Sequence, residues 1–156
     1  MTPHLLQTHA IAPALDLLPE KMQDPRARRL LAAIALQESG LRHRRQVGGP
    51  ARGWWQFEVA GVIGVLDHPD TGGLARDLAG TLGYPDPEPA KIYRAIEHHD
   101  PLAAGIARLL IWTLPHPLPE SREEAWQQYI DAWRPGRPRP EHWTQAWQTA
   151  QAVMES

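Results

Sequence analysis

Apolar positions recur at helical spacing over most of the chain, and the punctuation between them is that of helix ends. Asp24-Pro25 reads as an N-cap followed by proline at the first helical position. The segment Arg26 to Glu38 follows, with Gly40 placed as the glycine beyond its C-terminus. Within it Leu30 to Leu36 is apolar on every side, which predicts a buried central helix. Asp100-Pro101 repeats the start signal ahead of Leu102 to Leu114, with Asp100 read as the cap. Ser121, with Glu124 three residues on, is a capping-box pattern opening a third helix. That helix carries Ala125, Trp126, Tyr129, Ile130 and Trp133 as a stripe.

A fourth helix, starting near Pro140, sets Trp143, Ala146, Trp147, Ala150 and Val153 on one face. These helical tryptophans read as core packing. Shorter helices are expected at Pro13 to Met22, Thr71 to Leu82 and Pro89 to His98, with loops at Gly40 to Gly53, His68 to Gly73, Gly83 to Glu88, Pro115 to Pro119 and Arg134 to Arg139. Phe57 to Leu66 holds β-branched residues, but Ala60, Gly61 and Gly64 interrupt them, so the pattern assigns neither strand nor helix. The expectation is a mainly α fold, one compact domain over residues 1–156 with little or no β.

Composition narrows the function classes. Apolar residues make up 42% of the chain, enough for one core, and the formal net charge is −2. A binder of nucleic acid or of membrane surfaces would carry a basic excess, so neither partner is expected. Arginine outnumbers lysine 14 to 2, which reads as a coding bias rather than as anion binding. With no cysteine, disulfides and thiolate metal sites are excluded. His98-His99-Asp100 and Asp67-His68-Pro69-Asp70 do not make a metal site, because adjacent histidines on a helix point to different faces. No metal and no cofactor is expected. Met1 to Leu18 lacks the features of a signal peptide, and the apolar runs are too short to span a bilayer. Synthesis in the cytoplasm without a leader is the expectation.

The chemistry concentrates between Leu30 and Glu58. Glu38 lies seven residues after Leu31, four after Ile34 and three after Ala35, so it projects from their apolar face. It also occupies the last turn, where the helix dipole disfavours a carboxylate. Both effects raise its pKa, the condition for a general acid at neutral pH. The plainer alternative is a helix-end glutamate paired with Arg42 or Arg45.

Some ten residues on come Gly48, Gly49, Pro50, Ala51, Arg52, Gly53, Trp54, Trp55, Gln56, Phe57 and Glu58. Together with Glu38-Ser39-Gly40, this stretch resembles the signature of the lysozyme-like superfamily of lytic transglycosylases and goose-type lysozymes. There a helix ends in Glu-Ser, and a Gly-Ala-x-Gly-Leu-Met-Gln loop follows. Ala51, Gly53 and Gln56 match in register; Trp54-Trp55 stand for Leu-Met, Val47 for the serine opening the loop and Pro50 for its first glycine. A later segment, Ala132-Trp133-Arg134-Pro135-Gly136-Arg137-Pro138, is similar in placement to the Ala-Tyr-Asn-Ala-Gly-x-Pro-like stretch that lines the family's cleft. Trp133 replaces the tyrosine that supports the family's catalytic glutamate, and Tyr129 lies one turn earlier.

The resemblance implies a lysozyme-like helical domain that cleaves peptidoglycan glycan strands. Glu38 would be the catalytic acid. Ser39, Arg52, Gly53, Trp54, Trp55, Gln56, Tyr129 and Trp133 would bind substrate, with Gln56 and the Gly53 backbone holding an N-acetylated sugar and Trp54 or Trp55 stacking on sugar faces. Glu58 is the candidate second carboxylate, where goose-type lysozymes carry an aspartate. With it the enzyme hydrolyses; without it one glutamate serves as acid and then base, and the muramic 6-hydroxyl attacks. The basic residues Arg42, His43, Arg44, Arg45 and Arg52 could meet carboxylates of stem peptides or lactyl groups, or a nucleic-acid phosphate. Absence of a leader fits a bacteriophage protein, carried in the virion beside other virion proteins or released to the periplasm. Two other classes stay open: a non-catalytic phage structural or assembly protein on the same scaffold, and a helical DNA-binding module. The latter leaves the Gly-Trp-Trp-Gln loop unexplained.

Overall fold

The chain enters as one continuous helical stretch: α1 (Pro3–Leu6), a π-helical turn (Gln7–Ile11) and α2 (Ala12–Asp16). The expected helix at Pro13 to Met22 therefore starts earlier and stops at Asp16, with only a 3-10 turn at Glu20–Met22 beyond it. Pro13 has no N–H to give and its ring crowds the preceding turn, and the helix answers by widening: Ala12 N–H reaches back to Gln7 O. This structure, a computed structural model, describes residues 1–155.

Helix α3 (Pro25–Ser39) is the central element. Asp24 caps it by accepting from Arg26 N–H at 2.8 Å, and Gly40 ends it at φ 61°, a left-handed conformation in which glycine carries no Cβ penalty. Leu30, Leu31, Ala32, Ala33, Ile34 and Ala35 are all fully buried, as an all-round apolar segment requires. α4 (Val59–Asp67) occupies the stretch that sequence left unassigned. Its buried residues, Val62, Val65 and Leu66, keep helical spacing, and Gly61 lets the helix lie against the Phe57 ring. α5 (Gly72–Thr81) and α6 (Pro89–Ile96) follow where short helices were expected.

α7 (Asp100–Trp112) begins two residues early. His99, rather than Asp100, is its cap: Nδ1 accepts from Leu102 N–H at 3.2 Å, while Asp100 is engaged by Arg44. α8 (Arg122–Trp133) is capped by Ser121 Oγ, and α9 (Pro140–Glu155) buries Trp143, Ala146, Trp147 and Ala150 along the length of α3. Among the described residues, extended pairing is confined to two antiparallel bridges, Arg45 to Arg52 and Arg52 to Phe57. The fold is compact and mainly α. No helix among the described residues is long and apolar enough to cross a membrane.

Candidate active site

A cleft of about 930 Å³ opens where the C-terminus of α3, the last turns of α8, the Arg134–Arg139 segment and the loop before α4 converge. Glu38 lines it together with Gln56, Glu58, Tyr129 and Trp133. Glu38 makes no ion pair with Arg42, Arg45 or any other cation among the described residues. Its Oε1 accepts a hydrogen bond from the Tyr129 hydroxyl at 2.7 Å. Burial pushes its pKa up from the ordinary value near 4.5 to about 7; the Tyr129 hydrogen bond opposes this, and the charge of Glu58 adds to it. Because Oε1 is occupied as an acceptor, the transferable proton belongs on Oε2.

Tyr129 is itself held by aromatic packing. It is 3% exposed, stacks on Trp143 at 5.4 Å and 8°, and touches Trp126 and Trp133. Burial and the neighbouring Glu38 both raise the pKa of its phenol, so it stays a hydrogen-bond donor. The stripe on α8 and the stripe on α9 thus meet behind the carboxyl group. A role supporting Glu38, which the family pattern would put at Trp133, falls to Tyr129 one turn earlier. Trp133 lines the cleft and donates from Nε1 to Trp55 O at 2.9 Å, fastening α8 to the opposite loop.

The loop departs from expectation at several positions. Trp55 is fully buried and donates to Leu31 O at 2.9 Å, and Trp54 is 6% exposed beneath the Arg44 guanidinium, 4.4 Å from its ring centroid. Neither tryptophan lines the cleft, so neither can stack on a sugar there. Gly53 is not in the cleft wall, and positive φ, one of the two reasons the sequence offers for a glycine there, accounts for it. It adopts φ +75°, and a Cβ would stand 2.9 Å from Ile96 O at the end of α6.

Ser39 seals the helix end, donating to Ala35 O and accepting from Leu41 N–H. Arg52 folds back onto Gly49 O and Ala51 O at 2.7 and 2.9 Å and is not in the cleft wall. Gln56 does reach the cleft. Its backbone holds φ 53°, unusual for a side-chain-bearing residue, and its amide donates to Gly53 O at 2.8 Å. Glu58 is exposed at the start of α4, where its side chain makes no capping bond, and it lines the cleft.

Of the basic patch His43 lines the cleft, while Arg44 and Arg45, like Arg52, are committed to structural bonds. Arg44 makes a two-point ion pair with Asp100 at 2.5 and 2.9 Å, and Arg45 does so with Glu97 at 2.6 and 3.0 Å. Cations that sequence reasoning did not assign to the site take their place. Arg134, Arg137 and Arg139 line the opposite rim, and none forms an ion pair among the described residues. Their signal was the Arg-Pro-Gly-Arg-Pro-Arg-Pro run itself, in which prolines alternate with arginines near a cleft-lining helix end. Comparison with protein-family models, with curated proteins and with solved structures finds no match.

Proposed function

We propose that the protein cleaves peptidoglycan glycan strands, with Glu38 as the general acid. The observation that carries this reading is a carboxyl group on the wall of a large cleft, without a cationic partner among the described residues and with its pKa lifted to about 7. Such a group keeps enough proton near neutrality to donate, and ionises readily enough to accept one back. The Glu38-Ser39 helix end and the Ala51-to-Gln56 loop, in the pattern that resembles lytic transglycosylases and goose-type lysozymes, are the support for glycan cleavage among general acid chemistries.

In the reaction, Oε2 of Glu38 gives its proton to the glycosidic oxygen as the C1–O bond breaks. The bonding pair leaves on that oxygen, which becomes a free hydroxyl. The electron-deficient C1 is captured by an incoming oxygen whose proton passes to the Glu38 carboxylate, restoring the starting state. Water as the incoming oxygen leaves a reducing end; the sugar's own 6-hydroxyl leaves an anhydro ring. Among the described residues Glu58 is the one other carboxylate lining the cleft; if it is the base when water attacks, the water proton passes to Glu58 instead, and Glu38 regains its proton from solvent. The three unpaired arginines on the rim suit a strand bearing carboxylates.

Clearing of purified cell-wall sacculi tests the reading. Wild type should clear the suspension, and Glu38→Gln, which keeps the size and the acceptor for Tyr129, should not. Mass spectrometry of the digest separates the two outcomes, since anhydro and reducing ends differ by one water. A well-folded wild type that leaves every sacculus intact would return the protein to a non-catalytic structural or assembly role.

A further inference from the structure

Away from the cleft, a second hollow of about 650 Å³ lies between the C-terminal end of α7, the turn after it and the Lys21–Arg26 segment. Arg108 forms part of its wall and is 1% exposed. A guanidinium that deep normally has a carboxylate against it, because desolvating an unpaired charge costs several kcal/mol. Arg108 has none within ion-pair distance among the described residues. Its Nε donates to Met22 O at 3.0 Å, and its other N–H groups have no protein acceptor there. Asp24, whose charge does act on it, is already committed, bonding the Arg26 side chain with both oxygens while capping α3. Asp70, also on the hollow, forms no ion pair with it.

A second cation shares the same platform. Lys21 Nζ stands 5.2 Å from the Trp112 ring centroid, and Arg108 Cζ stands 5.5 Å from it. The quadrupole of one indole stabilises each cation only modestly, and neither has a carboxylate within ion-pair distance among the described residues. What completes such an arrangement is an anion with charge enough for both and acceptors enough for the guanidinium fork. Burial lowers the pKa of Arg108 only to about 10, so the charge persists at neutral pH.

We propose that this hollow binds a phosphoryl group, held by Arg108 and Lys21 beside Trp112. A phosphomonoester is close to a dianion at neutral pH and matches the two cations, where a carboxylate offers a single charge. The hollow is of small-molecule size, far larger than bare phosphate, and Ile111, Leu114 and Leu118 supply apolar wall for the rest of a phosphorylated ligand. The site shares no residue with the cleft lining, so the assignment stands independently of the glycosidase reading.

Titration of the ¹⁵N-labelled full chain with inorganic phosphate, read at the Trp112 indole N–H, tests it. Saturable shifts are expected with Kd on the order of 1 mM, as suits a fragment of a ligand. They should be absent with sodium chloride at equal ionic strength, about tenfold weaker in Lys21→Gln, lost in Arg108→Met and unchanged in Glu38→Gln. Lys21 is exposed, so its variant keeps the test decisive even if Arg108→Met fails to fold. A linear, unsaturated response, tighter binding of acetate than of phosphate, or indifference to Lys21→Gln would overturn the assignment.

Discussion

The two walls of the cleft reach rigidity by different means. On the α3–α8–α9 side Glu38 and Tyr129 rest on packed indoles, and little but ring contacts and one hydrogen bond fixes them. On the loop side Trp54, Trp55 and Phe57 turn away from the cleft into the core. Left-handed residues at Leu41, Gly53 and Gln56, short backbone bridges, and two-point ion pairs from Arg44 to Asp100 in α7 and from Arg45 to Glu97 just beyond α6 hold that wall from behind. The dry wall tunes a proton, and the hydrogen-bonded wall sets a shape. Changes on the first should therefore appear in pH profiles and rates, and changes on the second in stability.

The sharpest test of that division is Glu38→Gln. Cell-wall clearing should fall by about 10³-fold or more, roughly 4 kcal/mol of lost transition-state stabilisation. The same variant should melt higher than wild type at pH 8. Below about pH 4.5 the glutamate is protonated in both folded and unfolded chains and contributes no difference. As pH rises toward 7 the unfolded chain releases the proton first, so stability falls; above 7 the folded protein bears the full penalty of a buried carboxylate. That penalty is on the order of 3 kcal/mol, and thermal melts at pH 4 and pH 8 should show the gain only at the higher pH. An equal gain at both would mean Glu38 is not held protonated.

On the other wall, Gly53→Ala should lower unfolding free energy by about 3 kcal/mol, from left-handed strain and the approach to Ile96 O. Arg44→Met should cost about 2 kcal/mol through the Asp100 pair. Denaturant midpoints measure both. If either variant moved the alkaline limb of the pH–rate profile as well, the two walls would not be separable.

Tyr129→Phe is expected to lower kcat about tenfold. The lost donor stabilised the carboxylate, so the alkaline limb should move up. A limb that moved down would assign the hydrogen bond the opposite sign. The smallest effect belongs to Glu58→Gln on the same limb. Removing a nearby negative charge should shift it downward, with kcat preserved if the 6-hydroxyl attacks and collapsed if water does.

Much of the helical frame was legible because its signals are local. Asp24-Pro25 with Gly40, Ser121 with Glu124, and the spaced tryptophans of α8 and α9 each specify an element from signals no farther apart than the helix itself. Glu38 was legible in part for the same reason, since its helix face and helix end are local, while Tyr129, which completes its surroundings, comes from 91 residues away. Where reading failed, the determinant lay far along the chain. Trp54 and Trp55 look like ligand contacts on a glycine-rich loop until Leu31 and Arg44 bury them. Arg44 and Arg45 look free until Glu97 and Asp100 arrive from more than fifty residues away. α4 escaped notice because Ala60, Gly61 and Gly64 dilute a helical pattern that only Phe57 and the core make plain.

The Arg134–Arg139 segment is clamped at both ends. At one, Arg134 N–H bonds Ile130 O in a left-handed cap; at the other, the Gln37 amide bonds Arg139 O at 2.8 Å. Prolines at 135 and 138 further limit the backbone between the clamps. If the proposed glycan cleavage holds, an incoming strand would meet guanidinium groups on a preset track, with the ordering entropy of that loop already spent during folding. Under that proposal, loosening either clamp should slow capture of the strand while leaving the step assigned to Glu38 unchanged.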